Sequence, residues 1–409
     1  KAGEDKQIVV IEVPRAEREM RPVYVGNNPI KGTYRRNHEG DFHCTREQVS
    51  AFFRDASPVS VDTKVLTEMD YSIFCTDTIK DYRMRFNAKH DDHFWSKLED
   101  ELFLRRIGAM GLSPEDNKIH PTIAGLLMFG YEYEIVREFS GYFLDYQERL
   151  DPTMRWTHRV TSSSGDWSGN LFDFYYRIIN RLTSDLPVPF RLDGMTRVDD
   201  TKLHEAVREA LLNTLVHADY YGRQGTVVIK GLDRMSFANP GDMRISLKTA
   251  LEGGISDPRN ATLMKMFSLI GVGERAGSGV PSIISVWSDA TGVVPTYKQS
   301  FAPERMEFVI KMSSPSDTSA DNLRGANTIE NTKKTVEKSS QKSSQKSSQK
   351  SSQKILELIA VNTTISTQEM ANSIGISRRA IAKIIAKLQT EGILRRIGPD
   401  KGGHWEIVE

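Results

Sequence analysis

Apolar and polar residues alternate over the first 312 positions in patterns that predict a mixed body of helices and strands. The β-branched run Gln7–Val13 stops at Pro14 and predicts a buried strand. Thr45, with Gln48 three residues later, is a capping signature for a helix. The other predicted strands are Tyr34–Arg36, Phe139–Tyr146, Arg155–Thr161, Thr226–Lys230, Arg234–Ala238 (a hairpin with the preceding strand) and Met306–Lys311. The predicted helices are Thr45–Phe53, Phe94–Ile107, Gly169–Leu182, Leu203–Ala218, Ala261–Ile270 and Ser282–Trp287. This order indicates an α+β body.

The helix Leu203–Ala218 has the strongest pattern. Its apolar residues recur at helical spacing and define a buried face. Glu205, Glu209, Asn213 and His217 follow one another four residues apart on the opposite side. Such a stripe is either a solvated polar face or one wall of a binding site.

The last 56 residues predict a compact module of three helices and a hairpin. Ser377 caps the third helix, Arg378–Thr390, and Ala380, Ile381, Ile384, Ile385 and Leu388 face inward. The segments Gly392–Ile397 and His404–Ile407 predict a two-stranded wing. The whole module resembles a bacterial winged helix-turn-helix domain. Candidate DNA-contacting residues lie on the outside of helix three and at the wing tip: Arg378, Arg379, Lys383, Lys387 and Lys401. Winged helices also serve as protein–protein modules, and that alternative stays open.

Composition marks a tether between the two parts. From Ser313 to Lys354 nearly every residue is Ser, Thr, Asn, Asp, Lys or Gln, ending in four copies of Lys-Ser-Ser-Gln. Such a segment cannot bury enough apolar surface to fold, so a flexible cationic linker is expected. The predicted domains are 1–55, a helical connector 56–115, 116–312, the linker 313–353 and 354–409.

Charge follows the same division. Residues 1–310 carry a net charge of −5, residues 311–354 carry +5 and residues 355–409 carry +1, within a total of +1. The chain therefore lacks the global basic signature of many nucleic-acid-binding proteins, while the tether and reader module are locally positive.

Several classes can be excluded or disfavoured. The longest apolar stretch, Ile123–Phe129, is far shorter than the ~20 residues that cross a bilayer, so no membrane association is expected. Two cysteines cannot build a disulfide scaffold, and a reducing cytoplasmic location is expected.

The cluster His90-Asp91-Asp92-His93 is interpreted as a helix cap rather than a metal site. The chain begins Lys1-Ala2-Gly3 without Met, which suggests a fragment of a longer protein.

Two glycine turns follow the striped helix. Phe237-Ala-Asn239-Pro-Gly241 ends a strand, and Gly271-Val-Gly273-Glu-Arg-Ala-Gly277-Ser-Gly279-Val-Pro281 leads into a helix. Closely spaced glycines let backbone N–H groups converge on an anion, and the next helix N-terminus adds positive potential. A carboxylate and an amide on one helix face can hold a hydrated Mg²⁺ beside that anion. A dinucleotide-binding turn is disfavoured because a helix, not a strand, precedes the second turn. No P-loop motif occurs, so a helicase motor is excluded.

The striped helix and the two glycine turns, in this order over about 195–310, resemble the ATP-binding domain labelled RecG-like helicase C-terminal. That domain is a divergent relative of the gyrase, chaperone, histidine-kinase and MutL (GHKL) ATPases. The resemblance implies Glu209 as the water-activating carboxylate and Asn213 as the Mg²⁺ ligand. It places Asn239 and Gly241 at the adenine end. His217, on the same polar stripe as Glu209 and Asn213, is a further candidate for cofactor binding. Gly271, Gly273, Gly277 and Gly279 would form the phosphate lid. The wider superfamily has an Asp at the position of Asn239; Asn also accepts a hydrogen bond but carries no charge.

Residues 7–53 resemble the C-terminal portion of a Schlafen-type, AlbA-like DNA-binding domain. The resemblance rests on Ile8-Val-Val-Ile-Glu12-Val-Pro14, Arg21-Pro-Val-Tyr24, Thr33-Tyr-Arg35-Arg36 and Thr45–Val49. Arg35 and Arg36 either contact phosphates or are ordinary exposed strand residues.

The combined expectation is a bacterial transcriptional regulator that binds double-stranded DNA. Its GHKL-like body would bind ATP and Mg²⁺, with weak ATPase activity possible, and a homodimer is possible. The alternative is an ATPase enzyme of DNA processing or phage defence. A pocket that serves only as scaffold is the third possibility.

Overall fold

The computed structural model describes residues 13, 16–37, 40–187, 192–193, 196–197, 201–273, 277–301 and 303–312. In the C-terminal part it describes 355, 358–359, 362–363, 365–367, 369–370, 381, 385, 388, 394–397 and 404–407. The chain forms two compact units, Lys1–Ser319 and Ala320–Glu409.

The elements confirm an α+β architecture. The helices are α1 (Pro29–Gly32), α2 (Arg46–Ala56), α3 (Thr76–Lys89), α4 (Asp100–Ile107), α5 (Ile123–Phe129), α6 (Glu132–Glu138), α7 (Leu171–Thr183), α8 (Lys202–Val216), α9 (Leu247–Glu252), α10 (Ala261–Leu269) and α11 (Gly279–Thr291). The strands are β1 (Tyr34–Asn37), β2 (Gly40–His43), β3 (Met110–Leu112), β4 (Ile119–Pro121), β5 (Leu144–Arg149), β6 (His158–Thr161), β7 (Leu192–Asp193), β8 (Thr196–Arg197), β9 (Thr226–Gly231), β10 (Arg234–Pro240), β11 (Thr296–Phe301), β12 (Glu304–Lys311), β13 (Leu394–Ile397) and β14 (His404–Ile407).

A six-stranded mixed sheet organises the first unit, with strand order β11-β12-β10-β9-β5-β6. Strands β9 and β10 form the predicted antiparallel hairpin. Strand β5 pairs in parallel with β9, with Tyr146 opposite Val228. Because a parallel pair needs a long crossover, the 76 residues between β5 and β9 carry β6, α7 and α8.

Helix α8 lies against β10 and is flanked by α7 and α11. Its apolar face is buried as predicted: Val207, Leu211 and Leu215 are fully inaccessible to solvent. Each buried Val or Leu side chain contributes about 1.5–3 kcal/mol of transfer free energy, so packing fixes the rotation of this helix. The polar side of α8 is thereby held at a defined orientation.

The segment between α2 and β5 packs into the same core. Helix α5 is buried along its whole length. Tyr82 of α3 donates a hydrogen bond to the Met266 carbonyl of α10 at 2.8 Å. The buried Asp62 carboxylate accepts the backbone N–H groups of Thr262 and Leu263 at 2.8 and 2.9 Å, which caps α10.

Most predicted elements are confirmed, with ends that shift by a few residues, but one predicted helix is interrupted and two predicted strands begin later. The predicted helix 94–107 is instead a short 3-10 turn, Phe94–Lys97, followed by α4, because the chain is extended at Leu98 and Glu99. The strand predicted at 139–146 begins only at Leu144, and the one predicted at 155–161 begins at His158. The predicted strand Gln7–Val13 and the linker 313–353 lie outside the described residues, apart from Val13.

The C-terminal unit has its own core. Ile355, Ile359, Met370, Ile381 and Leu388 are buried together with Ile365, Ile385, Leu394 and Trp405. Strands β13 and β14 pair antiparallel, as the predicted wing requires. The Trp405 indole N–H donates to the carbonyl of the non-helical residue Ile365 at 3.2 Å.

Candidate functional site

Three of the four residues on the polar side of α8 face a partly enclosed cavity, whereas Glu205 is exposed. Glu209, Asn213 and His217 line a space of about 140 Å³. The Asn213 amide donates through Nδ2 to Glu209 Oε1 at 3.2 Å, which leaves the amide oxygen as an acceptor. Glu205, the first member of the stripe, does not line this cavity.

The rest of the cavity wall is largely apolar and comes from the sheet, α10 and α11. Phe237, Tyr297 and Phe308 line it, and the rings of Tyr297 and Phe308 stack at 4.5 Å between centroids. Asn239 also lines it and is 8% exposed. Its Nδ2 donates to the Pro240 carbonyl at 3.2 Å. An apolar cleft with a few placed polar groups is the usual form of a small-molecule site.

His217 is held in its neutral form. Burial lowers the pKa of its imidazole to about 4, and the nearby positive charges of Arg259 and Arg244 act in the same direction. At neutral pH the ring therefore offers one N–H donor and one acceptor nitrogen to the cavity.

Arg259 binds the backbone of two cavity-lining residues, His217 and Asp242, without lining the cavity itself. Its guanidinium holds the Asp55 carboxylate through two hydrogen bonds of 2.9 and 2.8 Å. It also donates to the carbonyls of His217 and Asp242, at 2.6 and 2.9 Å. Gly241 has a φ of +101°, and a Cβ there would lie 2.6 Å from Arg259 Nη1. The glycine predicted for an adenine end thus serves the packing of this arginine and does not itself line the cavity.

The second glycine turn meets α8 at Glu209. Gly271, Gly273 and Gly277 have φ values of +78°, +71° and +68°. A Cβ on Gly279 would lie 2.2 Å from Glu209 Oε1, and a Cβ on Gly273 would lie 2.0 Å from Leu212 Cδ2. Gly277 and Gly279 line the cavity, and Gly271 and Gly273 lie just outside it. Residues 274–276 of this turn lie outside the described residues.

The N-terminal segment forms further ion pairs near Asp242. Arg35 bridges Asp242 and Glu304, both at 2.5 Å, and stacks over Phe301. Arg54 pairs with Asp219 at 2.9 Å. Arg35 is therefore neither a phosphate contact nor an ordinary exposed residue, whereas Arg36 is 72% exposed and pairs with Asp41.

Sequence reasoning missed two charged residues of the cavity wall. Asp242 directly follows the first glycine turn, and Arg244 lies two residues further on; both line the cavity. Arg244 Nε is buried without a hydrogen-bond partner in the described part of the chain. A charged residue beside a glycine motif is a usable signal, but its burial depends on contacts distant in sequence.

His93 caps the turn Phe94–Lys97 by accepting the Trp95 N–H at 3.2 Å, as the cap interpretation requires. No group of three or more potential metal ligands is found among the described residues. In that same part of the chain, no helix is long and apolar enough to cross a bilayer. Arg378, Arg379, Lys383, Lys387 and Lys401 lie outside the described residues.

Three family models match separate segments. Residues 50–145 match "Domain of unknown function (DUF8451)", and residues 228–311 match "Putative ATP-dependent DNA helicase recG C-terminal". Residues 349–395 match "Winged helix-turn-helix DNA-binding". The chain therefore carries an ATPase-like domain and a winged helix-turn-helix DNA-binding domain. Glu209 and Asn213 precede the segment of the ATPase-like match.

A search of curated proteins returned no match. Among solved structures, the chain is similar to the DIP2311 protein from Corynebacterium diphtheriae, with 17% sequence identity and a TM-score of 0.47. That similarity covers 92% of this chain and 70% of the other.

Proposed function

We propose that this protein is a bacterial, cytoplasmic transcriptional regulator whose body binds ATP with Mg²⁺ and whose winged helix binds double-stranded DNA. One observation carries the nucleotide part of the proposal. The carboxylate–amide pair of α8 and the glycine turn meet at one cavity, where any side chain on Gly279 would displace the Glu209 carboxylate.

The residues present fit the proposed ligand. The apolar cavity would take the base, with Asn239 and the neutral His217 available for hydrogen bonds. The Asn213 amide oxygen and Glu209 would hold hydrated Mg²⁺, which keeps several waters and takes few protein ligands. The backbone of the glycine turn would face the phosphates. Bound Mg²⁺ would supply charge neutralisation for those phosphates.

Isothermal titration of the full-length chain with ATP and Mg²⁺ tests nucleotide binding. We expect heat of binding for the wild type and a large loss of affinity for Asn213→Ala. Glu101→Gln, on the exposed side of α4, is the control and should bind as the wild type does. Absence of heat at millimolar ATP would refute the proposal.

DNA binding is tested by fluorescence anisotropy on duplex DNA at low salt. We expect the double substitution Arg378→Ala and Arg379→Ala to weaken DNA binding and to reduce its salt dependence. A protein that makes fewer phosphate contacts releases fewer counterions from the DNA when it binds. Arg234→Ala, at an exposed site of the first unit, is the control. Regulation requires a further result: ATP with Mg²⁺ must change the DNA affinity.

The alternative is an ATPase enzyme of DNA processing or phage defence. Its support is the position of Glu209, a carboxylate beside both the amide of Asn213 and the glycine turn. Measured phosphate release that exceeds background and disappears in Glu209→Gln, with ATP binding retained, would favour the enzyme. Binding without turnover would favour the regulator.

A finer proposal concerns residues 7–53 and oligomeric state. The Schlafen-type, AlbA-like resemblance suggests a second DNA-binding element at this end, and nucleotide occupancy could change dimer pairing. Light scattering of the full chain with and without ATP tests the homodimer.

A further inference from the structure

An open basin adjoins the apolar cavity at Glu209. The basin has a volume of about 1110 Å³ and shares Glu209, Gly279 and Ile283 with the smaller cavity. A ligand whose apolar end occupies the cavity would therefore pass the carboxylate and extend into the basin. The basin is also lined by Gly271 and Gly273 of the glycine turn.

Cations from three elements line this basin. They are Lys89 at the end of α3, Arg208 on α8 and Lys265 on α10. Two carboxylates, Glu205 and Glu209, oppose them, so positive charges exceed negative ones on the described lining. Lys265 is partly committed, because its ammonium donates to the Arg106 carbonyl at 3.0 Å.

Lys89 reaches the glycine turn from outside the ATPase-like segment. Its Nζ lies 3.7 Å from the position that a Cβ on Gly271 would occupy. His90 fixes this end of α3, because its Nε2–H donates to the Leu269 carbonyl at the end of α10, at 2.8 Å. Within the described residues, the Lys89 ammonium has no hydrogen bond or ion pair. The Lys89 ammonium therefore has its N–H donors available for a ligand in the basin.

Two buried hydroxyl groups in the basin wall have no hydrogen-bond partner among the described residues. Tyr175 is 1% exposed, and its hydroxyl has no hydrogen-bond partner among the described residues. The Ser268 hydroxyl is in the same condition. Burial raises the pKa of Tyr175, so its hydroxyl stays protonated and can donate. Buried polar groups normally have a hydrogen-bond partner, and a ligand oxygen or its bound water would supply one here.

We infer that the region 50–145 completes the nucleotide site by supplying Lys89 as a binding residue for the distal phosphates of a nucleoside triphosphate. Arg208 and Lys265 lie beside it, and the Tyr175 and Ser268 hydroxyls line the same wall. This inference rests on the proposed nucleotide binding. It gives a role to a segment whose family match names none: α3 contacts the glycine turn and would distinguish a triphosphate from a nucleoside.

Isothermal titration with three probes tests this role: ATP with Mg²⁺, adenosine, and inorganic tripolyphosphate. The full-length wild type is compared with Lys89→Gln. Lys80→Gln is the matched control, because Lys80 lies on the same helix, is 73% exposed and pairs with Asp77 away from the basin. We expect Lys89→Gln to bind ATP and tripolyphosphate on the order of tenfold more weakly, the loss of one charge-assisted hydrogen bond. Adenosine affinity should not change, and Lys80→Gln should match the wild type throughout.

Each outcome decides a different point. Equal ATP affinity of Lys89→Gln and the wild type overturns the inference while nucleotide binding stands. If the wild type binds neither ATP nor adenosine, the proposed function fails. The tripolyphosphate titration then shows whether the basin is an anion-binding site in its own right. Tripolyphosphate binding that Lys89→Gln weakens supports an anion site there, and absence of such binding overturns it.

Discussion

Acid should destabilise this fold through His217, by an amount that follows from its burial. Burial, with Arg259 and Arg244 nearby, lowers the pKa of this imidazole from 6.5 to about 4. Between these values the unfolded chain binds a proton that the folded chain excludes. The stability contribution is therefore complete above pH 6.5 and is lost as the pH falls toward 4. At about 1.4 kcal/mol per pH unit, the loss amounts to roughly 2 kcal/mol at pH 5 and about 3 kcal/mol below pH 4.

Urea unfolding of the full chain, followed by tryptophan fluorescence, measures this loss. His217→Asn removes the titrating ring, so groups elsewhere cancel in the comparison with the wild type. We expect the stability advantage of the wild type over the variant to fall by roughly 2 kcal/mol between pH 7 and pH 5. The slope of free energy against urea concentration must stay equal for the two proteins. An advantage that does not change with pH would refute the assignment of a buried neutral imidazole.

Two further substitutions, Asp55→Asn and Gly273→Ala, test contacts of residues that surround the cavity, and each has a control. Asp55→Asn leaves the Arg259 guanidinium, which is 8% exposed, without its charge partner, and should cost about 3 kcal/mol or more in urea unfolding. Asp233→Asn, at an exposed pair, should stay within about 1 kcal/mol of the wild type. Gly273→Ala combines a φ of +71° with a clash against α8, so its melting temperature should fall further than that of Gly292→Ala, where φ is +69° but the space is open. Equal melting temperatures of the two alanine variants would contradict the close approach of the turn.

Local patterns predicted the parts of the fold that local physics determines. The α8 helix, the β9–β10 hairpin and the Thr45 capping box all rest on residues a few positions apart, and the structure confirms each of them. The helix predicted at 94–107 was wrong because apolar spacing alone did not reveal the extended residues that interrupt it.

Contacts between distant residues could not be predicted in this way. Asp62 caps a helix that begins 199 residues later, and Asp55 meets Arg259 across 204 residues. The four-residue spacing of Glu209, Asn213 and His217 predicted a shared side of α8, but only the folded sheet turned that side toward a cavity. Lys89 gave no signal at all, since a lysine that ends an amphipathic helix is common. The assignment of ligand roles to these residues stays a prediction until binding is measured.

The parallel pairing of β5 with β9 has a practical consequence for anyone who wishes to isolate the ATPase-like segment. A fragment covering 228–311 would keep β10, β11, β12 and the greater part of β9, without β5 or β6. It would also lack α8. The side of β9 that normally hydrogen-bonds to β5 would become a free edge, with unpaired amides and an uncovered apolar surface beside them. Such an edge recruits other chains, so fragments of this protein should be cut before β5 if they are to stay in solution.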